Sequence, residues 1–189
     1  MKKIIAKIFS PWGLVPLIMA LLCNFAVYSG CNALTRNWNL HSLAIPLDKQ
    51  IPLIPWTIVI YFGCYIFWII GYLYNAAMDK RHCYRFLMAD WLAKAVCFIC
   101  YVVYPTTNTR PEIVGSDIWA QLMRFLYSMD AADNLFPSIH CLVSWLCYIG
   151  IRGNKKVPQW IRTTFCICAI AVFISTLTTK QHVIYDVVA

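Results

Sequence analysis

Apolar residues in this chain run in long uninterrupted stretches rather than at alternating positions. No charge falls between Lys7 and Arg36 or between Lys49 and Asp79, and each interval exceeds the about 20 residues that a helix needs to cross a bilayer. These are spans one and two. A third is predicted from Phe86 to Tyr104, interrupted by Asp90 and Lys94, which stand four apart and can meet on one helix face near its beginning. Leu135–Ile151 is the fourth, and Val157–Thr179 holds the fifth, with Arg162 near its start able to snorkel toward the interface. A sixth begins near Val183 and is incomplete at Ala189, so the natural protein is expected to continue. In the long connection from Pro105 to Asn134, Ile118, Leu122, Phe125 and Met129 recur at helical spacing with Asp117, Gln121 and Arg124 between them. This pattern predicts an amphipathic helix within 113–132, lying on the interface or capping the bundle. The expected fold is an all-α integral membrane six-helix bundle, one membrane domain over 1–189, without internal repeats.

Composition strengthens this picture. Hydrophobic residues make up 61% of the 189 and charged ones 13%, against roughly 45–50% and 25% in soluble domains. A water-soluble globule is excluded, and six spans leave no room for a separate soluble domain. The start, Met-Lys-Lys before an apolar run, resembles a signal peptide, and Ser29-Gly30-Cys31 resembles a lipoprotein cleavage site. The run is longer than a signal core of about 7–15 residues and Tyr28 stands where Leu is usual, which favours a retained helix.

The net charge of +8 changes meaning once the spans are drawn. With the N-terminus inside, nine Lys and Arg fall on the cytoplasmic face, from Lys2, Lys3 and Lys7 to Arg152, Lys155 and Lys156, and five on the other: Arg36, Lys49, Arg110, Arg124 and Lys180. This is the positive-inside pattern. The basic balance therefore reports topology, and nucleic acid is not an expected partner. Most of the ten cysteines lie in apolar runs and read as small packing residues; Cys97-x-x-Cys100 has no second pair to complete a zinc site.

Three stretches that can do chemistry fall at the same, outer edge. They are Thr109-Arg110-Pro111, Pro137-Ser138-Ile139-His140 and Lys180-Gln181-His182-x-x-x-Asp186. His140 and His182 are 42 residues apart, about two crossings, so a chain that goes down one helix and up the next returns them to one level. At i, i+4 spacing His182 and Asp186 share a helix face, where the carboxylate can hold one ring nitrogen and leave the other with a lone pair. That is how an imidazole becomes an oriented nucleophile or base. With Pro137 in the first turn of a helix, Ser138, Ile139 and His140 would present free amides to an anion. Arg110 can donate a planar fork to phosphate oxygens, and Lys180 a mobile point charge. In isolation, Arg110 reads rather as a lipid-headgroup contact and Lys180 as a snorkelling interfacial lysine.

Together these residues resemble the type 2 phosphatidic acid phosphatase superfamily, which shares its site with vanadium haloperoxidases and sphingolipid synthases. Its motifs are Lys-x6-Arg-Pro, Pro-Ser-Gly-His and Ser-Arg-x5-His-x3-Asp. Arg110-Pro111 matches the end of the first, Pro137-Ser138-x-His140 the second with Ile139 in place of Gly, and Ser175-x6-His182-x3-Asp186 the third. Val103 stands where the first motif has Lys and Thr176 where the third has Arg, so two phosphate-binding cations are missing.

The resemblance implies a lipid phosphate phosphatase in which His182 attacks phosphorus, Asp186 orients it, and His140 protonates the leaving alkoxide. Arg110, Lys180, Ser138 and the amide of Ile139 would bind the phosphoryl oxygens. Phosphotransfer between lipids, as in the sphingolipid-synthase branch, is the alternative, and a non-catalytic scaffold or transporter is the alternative of another class. No metal or cofactor is implied. The expected partners are a lipid phosphate substrate and membrane lipids, with the oligomeric state left open. The expected location is the plasma membrane, with the N-terminus cytoplasmic and the site extracytoplasmic.

Overall fold

The structure, a computed structural model, describes residues 11–35 and 37–189. The basic residues Lys2, Lys3, Lys7 and Arg36, which sequence analysis placed on opposite faces, lie outside the described residues. The chain is mostly helical, in the order α1 (Pro11–Thr35), β1 (His41–Ser42), two 3₁₀ turns (Pro46–Lys49 and Pro55–Thr57), α2 (Ile58–Met78), α3 (Lys80–Val103), β2 (Thr106–Thr107), α4 (Ile118–Met129), α5 (Ile139–Arg152), α6 (Gln159–Thr178) and α7 (Ile184–Val188). Among the described residues, four helical segments are long and apolar enough to cross a membrane: Leu17–Thr35, Pro55–Met78, Lys80–Val103 and Gln159–Thr178.

α2 lies at the centre, touching α1, α3, α4, α5 and α6, while α1 packs mainly on α3 and α5 on α6. Gly71 lets α2 approach α5, because a Cβ there would lie 2.5 Å from Cys147 Sγ. The core between them gathers Cys31, Cys97, Tyr101, Val143, Cys147 and Phe165. The cysteines are free, and most of them are buried.

Three expectations change. The third span starts at Lys80, where the Asp79 side chain accepts the His82 amide as an N-cap. Asp90 and Lys94 are therefore inside the helix rather than near its beginning. Both are fully buried, Lys94 Nζ lies 2.8 Å from Asp90 Oδ2, and Tyr72 donates to the other carboxylate oxygen.

The fourth span begins at Ile139, not Leu135, and its 14 residues make about 21 Å of helix, short of the about 30 Å of a bilayer core. The residues before it are irregular, with bends at Asn134, Phe136 and Pro137: Pro137 disfavours helical backbone at Phe136, and Thr106 Oγ1 accepts both the Leu135 and Phe136 amides, at 3.0 and 2.9 Å. Near the C-terminus the described helix is the five-residue α7. The amphipathic helix expected within 113–132 appears as α4, capped by Asp117, whose carboxylate accepts the Trp119 and Ala120 amides.

Candidate active site

Ser138 is the N-cap of α5 and its hydroxyl accepts the Cys141 amide at 3.4 Å. Pro137 therefore precedes the cap rather than occupying the first turn, after a cis Phe136–Pro137 bond. Its carbonyl receives the Tyr101 hydroxyl from α3 at 2.7 Å, and the Ser138 amide donates to the Asp186 carbonyl at 2.8 Å. The Ser138 amide, expected to be free for an anion, is thus used in joining α5 to α7. The amides of Ile139 and His140, the first two of α5, have no acceptor among the described residues.

His182 and Asp186 do meet, but not on a helix face. α7 starts at Ile184 with Val183 as its N-cap, so His182 stands just before the helix. Asp186, in the first turn, turns back: its Oδ2 accepts the Val183 amide at 2.9 Å and lies 3.3 Å from His182 Nδ1. A helix N-terminus leaves amides in need of an acceptor, and this one recruits the carboxylate that also reaches the imidazole. Both residues are buried, and Asp186 Oδ1 has no partner. With the proton on Nδ1, Nε2 keeps its lone pair.

His140 lies beside His182, ring centroids 5.8 Å apart. Its other neighbours come from one face of α2: Tyr61 at 4.6 Å, Trp68 at 5.4 Å and Tyr65 at 6.2 Å. These rings are themselves fixed. Trp68 Nε1 donates to Ser144 Oγ at 2.8 Å, and the Tyr61 hydroxyl donates to Asp130 Oδ2 at 2.9 Å. Asp130 also accepts from Tyr28 of α1.

Arg110 reaches the same region. Its Nη1 donates to the Asp130 carbonyl and its Nη2 to the Gln181 amide oxygen, and its guanidinium lies 4.8 Å over the Tyr127 ring. Tyr127 donates to the Thr179 carbonyl, and burial pushes its phenol up to about 12, so it remains a neutral donor. Burial and the neighbouring Asp130 also raise the Asp133 carboxyl.

Lys180 is not available as expected. Its ammonium donates to the carbonyls of Asp48 and Ile51, and its backbone adopts φ +57°. Burial lowers its pKa, with Asp48 opposing the shift. No hydrogen bond links its ammonium to His140, His182 or Arg110.

The structure thus gathers His140, His182 and Asp186 at one end of the bundle, with Arg110 held beside Gln181, the chain neighbour of His182. Ile139 and Ser138 sit at the opening of α5, and Lys180 is bound to the 3₁₀ turn. Three further residues belong to this arrangement. Asp48 accepts the Ile184 amide through Oδ1, 2.8 Å, and the Ile45 amide through Oδ2, 2.8 Å, so it pins the start of α7. Tyr61 and Gln181 are the others. No motif marks Asp48 or Tyr61, and Gln181 lies inside the Lys180-Gln181-His182 stretch without a role read from it; the signal for Asp48 is a carboxylate between two apolar spans.

Comparison with family models, curated proteins and solved structures finds no match for this chain.

Proposed function

We propose that this protein is a membrane enzyme that cleaves lipid phosphates through a phosphohistidine on His182, water being the acceptor. The observation that carries the reading is the contact of the His182–Asp186 pair with His140, next to a guanidinium and two unpaired buried donors, Arg110 Nε and Gln181 Nε2. The resemblance to type 2 phosphatidic acid phosphatases supports the same assignment of roles.

In the first step the His182 Nε2 lone pair forms a bond to phosphorus while the bond from phosphorus to the lipid oxygen breaks. His140, protonated, gives that oxygen its proton. In the second step water attacks phosphorus, His140 takes the water proton, and the P–N bond breaks with its electrons returning to Nε2. Asp186 keeps the Nδ1 proton in place and offsets the positive charge that develops on the ring. Arg110, Gln181 and the amides of Ile139 and His140 bind the phosphoryl oxygens, where charge is greatest in the five-coordinate state. A cavity of about 390 Å³ behind Tyr65 and Trp68, flanked by exposed Leu21 and Ile69, supports an apolar substrate.

In this reading the helices belong to a six-span bundle in the plasma membrane, with the N-terminus cytoplasmic and the site extracytoplasmic. Thin-layer analysis of labelled lipid phosphates, incubated with the full-length protein with and without acceptor alcohols, tests the proposal. Release of phosphate is expected. Exchange only in the presence of an alcohol would make the protein a phosphotransferase, and no product with either would leave a scaffold or transporter.

A further inference from the structure

The end of the bundle away from His140 and His182 carries charge of one sign. Lys80, Arg81 and Arg85 open α3, Arg152 ends α5, and Lys155 and Lys156 stand in the turn before α6; all six are exposed. Arg162, in the first turn of α6, is a seventh cation. Asp79 is the one acidic residue in segments 79–85 and 152–162, and its carboxylate is engaged by the His82 amide. The two segments meet in space. Asn154 Nδ2 donates to Met78 Sδ at 3.2 Å, and Tyr74, Met78, Val157 and Ile161 join one apolar cluster. Seven cations against one anion leave six positive charges in one place, and none of the seven is in an ion pair with a described residue.

A bias of charge across a membrane asks only for cations in the loops. Arg162 goes further. Its Nη1 donates to the Arg152 carbonyl at 3.1 Å, which ties its guanidinium to the end of α5, yet its Nε is withdrawn from solvent and has no acceptor. An N–H in that state is costly, so the fork is set for an acceptor from outside the chain, and the surrounding charge makes that acceptor an anion. Helices α3 and α6 are long and apolar enough to cross a membrane, and exposed Tyr84 and Trp160 are the rings that favour a headgroup layer. The patch therefore stands at the level of lipid headgroups. A singly charged headgroup leaves most of the six charges unmet. One that bears phosphate monoesters, each about −1.5 to −2 at neutral pH, meets them and offers the guanidinium two oxygens.

We infer that this end of the bundle is a binding site for a multiply phosphorylated lipid headgroup of the phosphoinositide kind, seated on Arg162 with Arg152, Lys155 and Lys156 around it. The site is separate from that of the two histidines and does not depend on the phosphohistidine reading.

The test uses the full-length protein in phosphatidylcholine nanodiscs. It is titrated with short-chain phosphatidylinositol bisphosphate, short-chain phosphatidylserine and soluble inositol trisphosphate, and the bound bisphosphate lipid is located by photo-crosslinking from its headgroup. Wild type should bind that lipid at least tenfold more tightly than either of the others, with crosslinks within 152–162. Arg162→Gln should lose about tenfold. Arg162→Lys, which keeps the charge but not the Nε donor, should stay more than threefold weaker than wild type, whereas Lys49→Gln, which removes an exposed cation at the other end, should bind as wild type does. Binding by Arg162→Lys within threefold of wild type would make the patch a diffuse field without a seat and overturns the inference. Equal affinity for phosphatidylserine or for the soluble inositol phosphate overturns it too, as do crosslinks confined to the end that holds His140 and His182. If Arg162→Gln unfolds early, the variant with both exposed lysines changed, Lys155→Gln and Lys156→Gln, must show the loss in its place.

Discussion

Asp48 shows how one side chain can hold a site together from a distance in sequence. Its two oxygens serve the amides of Ile184 and Ile45, so it fixes the first turn of α7 and with it Asp186. Asp48→Ala should lower stability by about 1–2 kcal/mol, read as a drop in thermal midpoint, while Asp48→Asn, which keeps one acceptor, should recover part of it. An unchanged midpoint in the alanine variant would show that α7 is held by other contacts. The buried pair on α3 makes a different prediction. Lys94→Leu leaves Asp90 without its cation and should cost about 3–5 kcal/mol, whereas changing both Asp90 and Lys94 to Leu should cost much less. Denaturant unfolding of the two variants decides it, and equal losses would contradict a purely pairwise role.

At the scale of elements, what matters is how closely α2 lies against α5, since α2 carries the rings around His140. Gly71→Ala puts a methyl group against Cys147 Sγ and should destabilise the protein by about 1–3 kcal/mol. Alanine at Gly153, where no atom lies within 4 Å of an added Cβ, is the control; equal thermal midpoints for the two would remove the close-packing account. The long apolar helices and α4 were legible in the sequence because hydropathy and helical spacing are local properties. Element starts were less so. α5 opens four residues late because Pro137 disfavours helical backbone at Phe136 and Thr106, 29 residues earlier in the chain than Leu135, holds the Leu135 and Phe136 amides in a bend. The approach of His140 to His182 followed from counting crossings, but the α2 rings, the return of Asp186 to cap its own helix and the capture of Lys180 by a turn 129 and 132 residues away are tertiary facts that no spacing encodes.

For the whole molecule, the proposal ties one end of the bundle to the outside of the membrane. Single cysteines in a cysteine-free background, placed at exposed Glu112 and Lys155, should react with an impermeant thiol reagent from outside at the first and not at the second. The reverse would place the site in the cytoplasm. The central claim is covalent transfer through His182, and the measurement that reaches it most directly is labelling of the full-length protein with a lipid whose phosphate carries the label, quenched in alkaline detergent and then tested for loss of label in acid. Wild type should acquire an acid-labile label, and vanadate, which mimics five-coordinate phosphorus, should compete with it. His140→Ala should still accumulate some label from a substrate whose leaving group needs no proton. His182→Ala should acquire none and should turn over nothing. Label that persists in His182→Ala, or wild-type turnover that leaves no acid-labile label and ignores vanadate, would contradict the account.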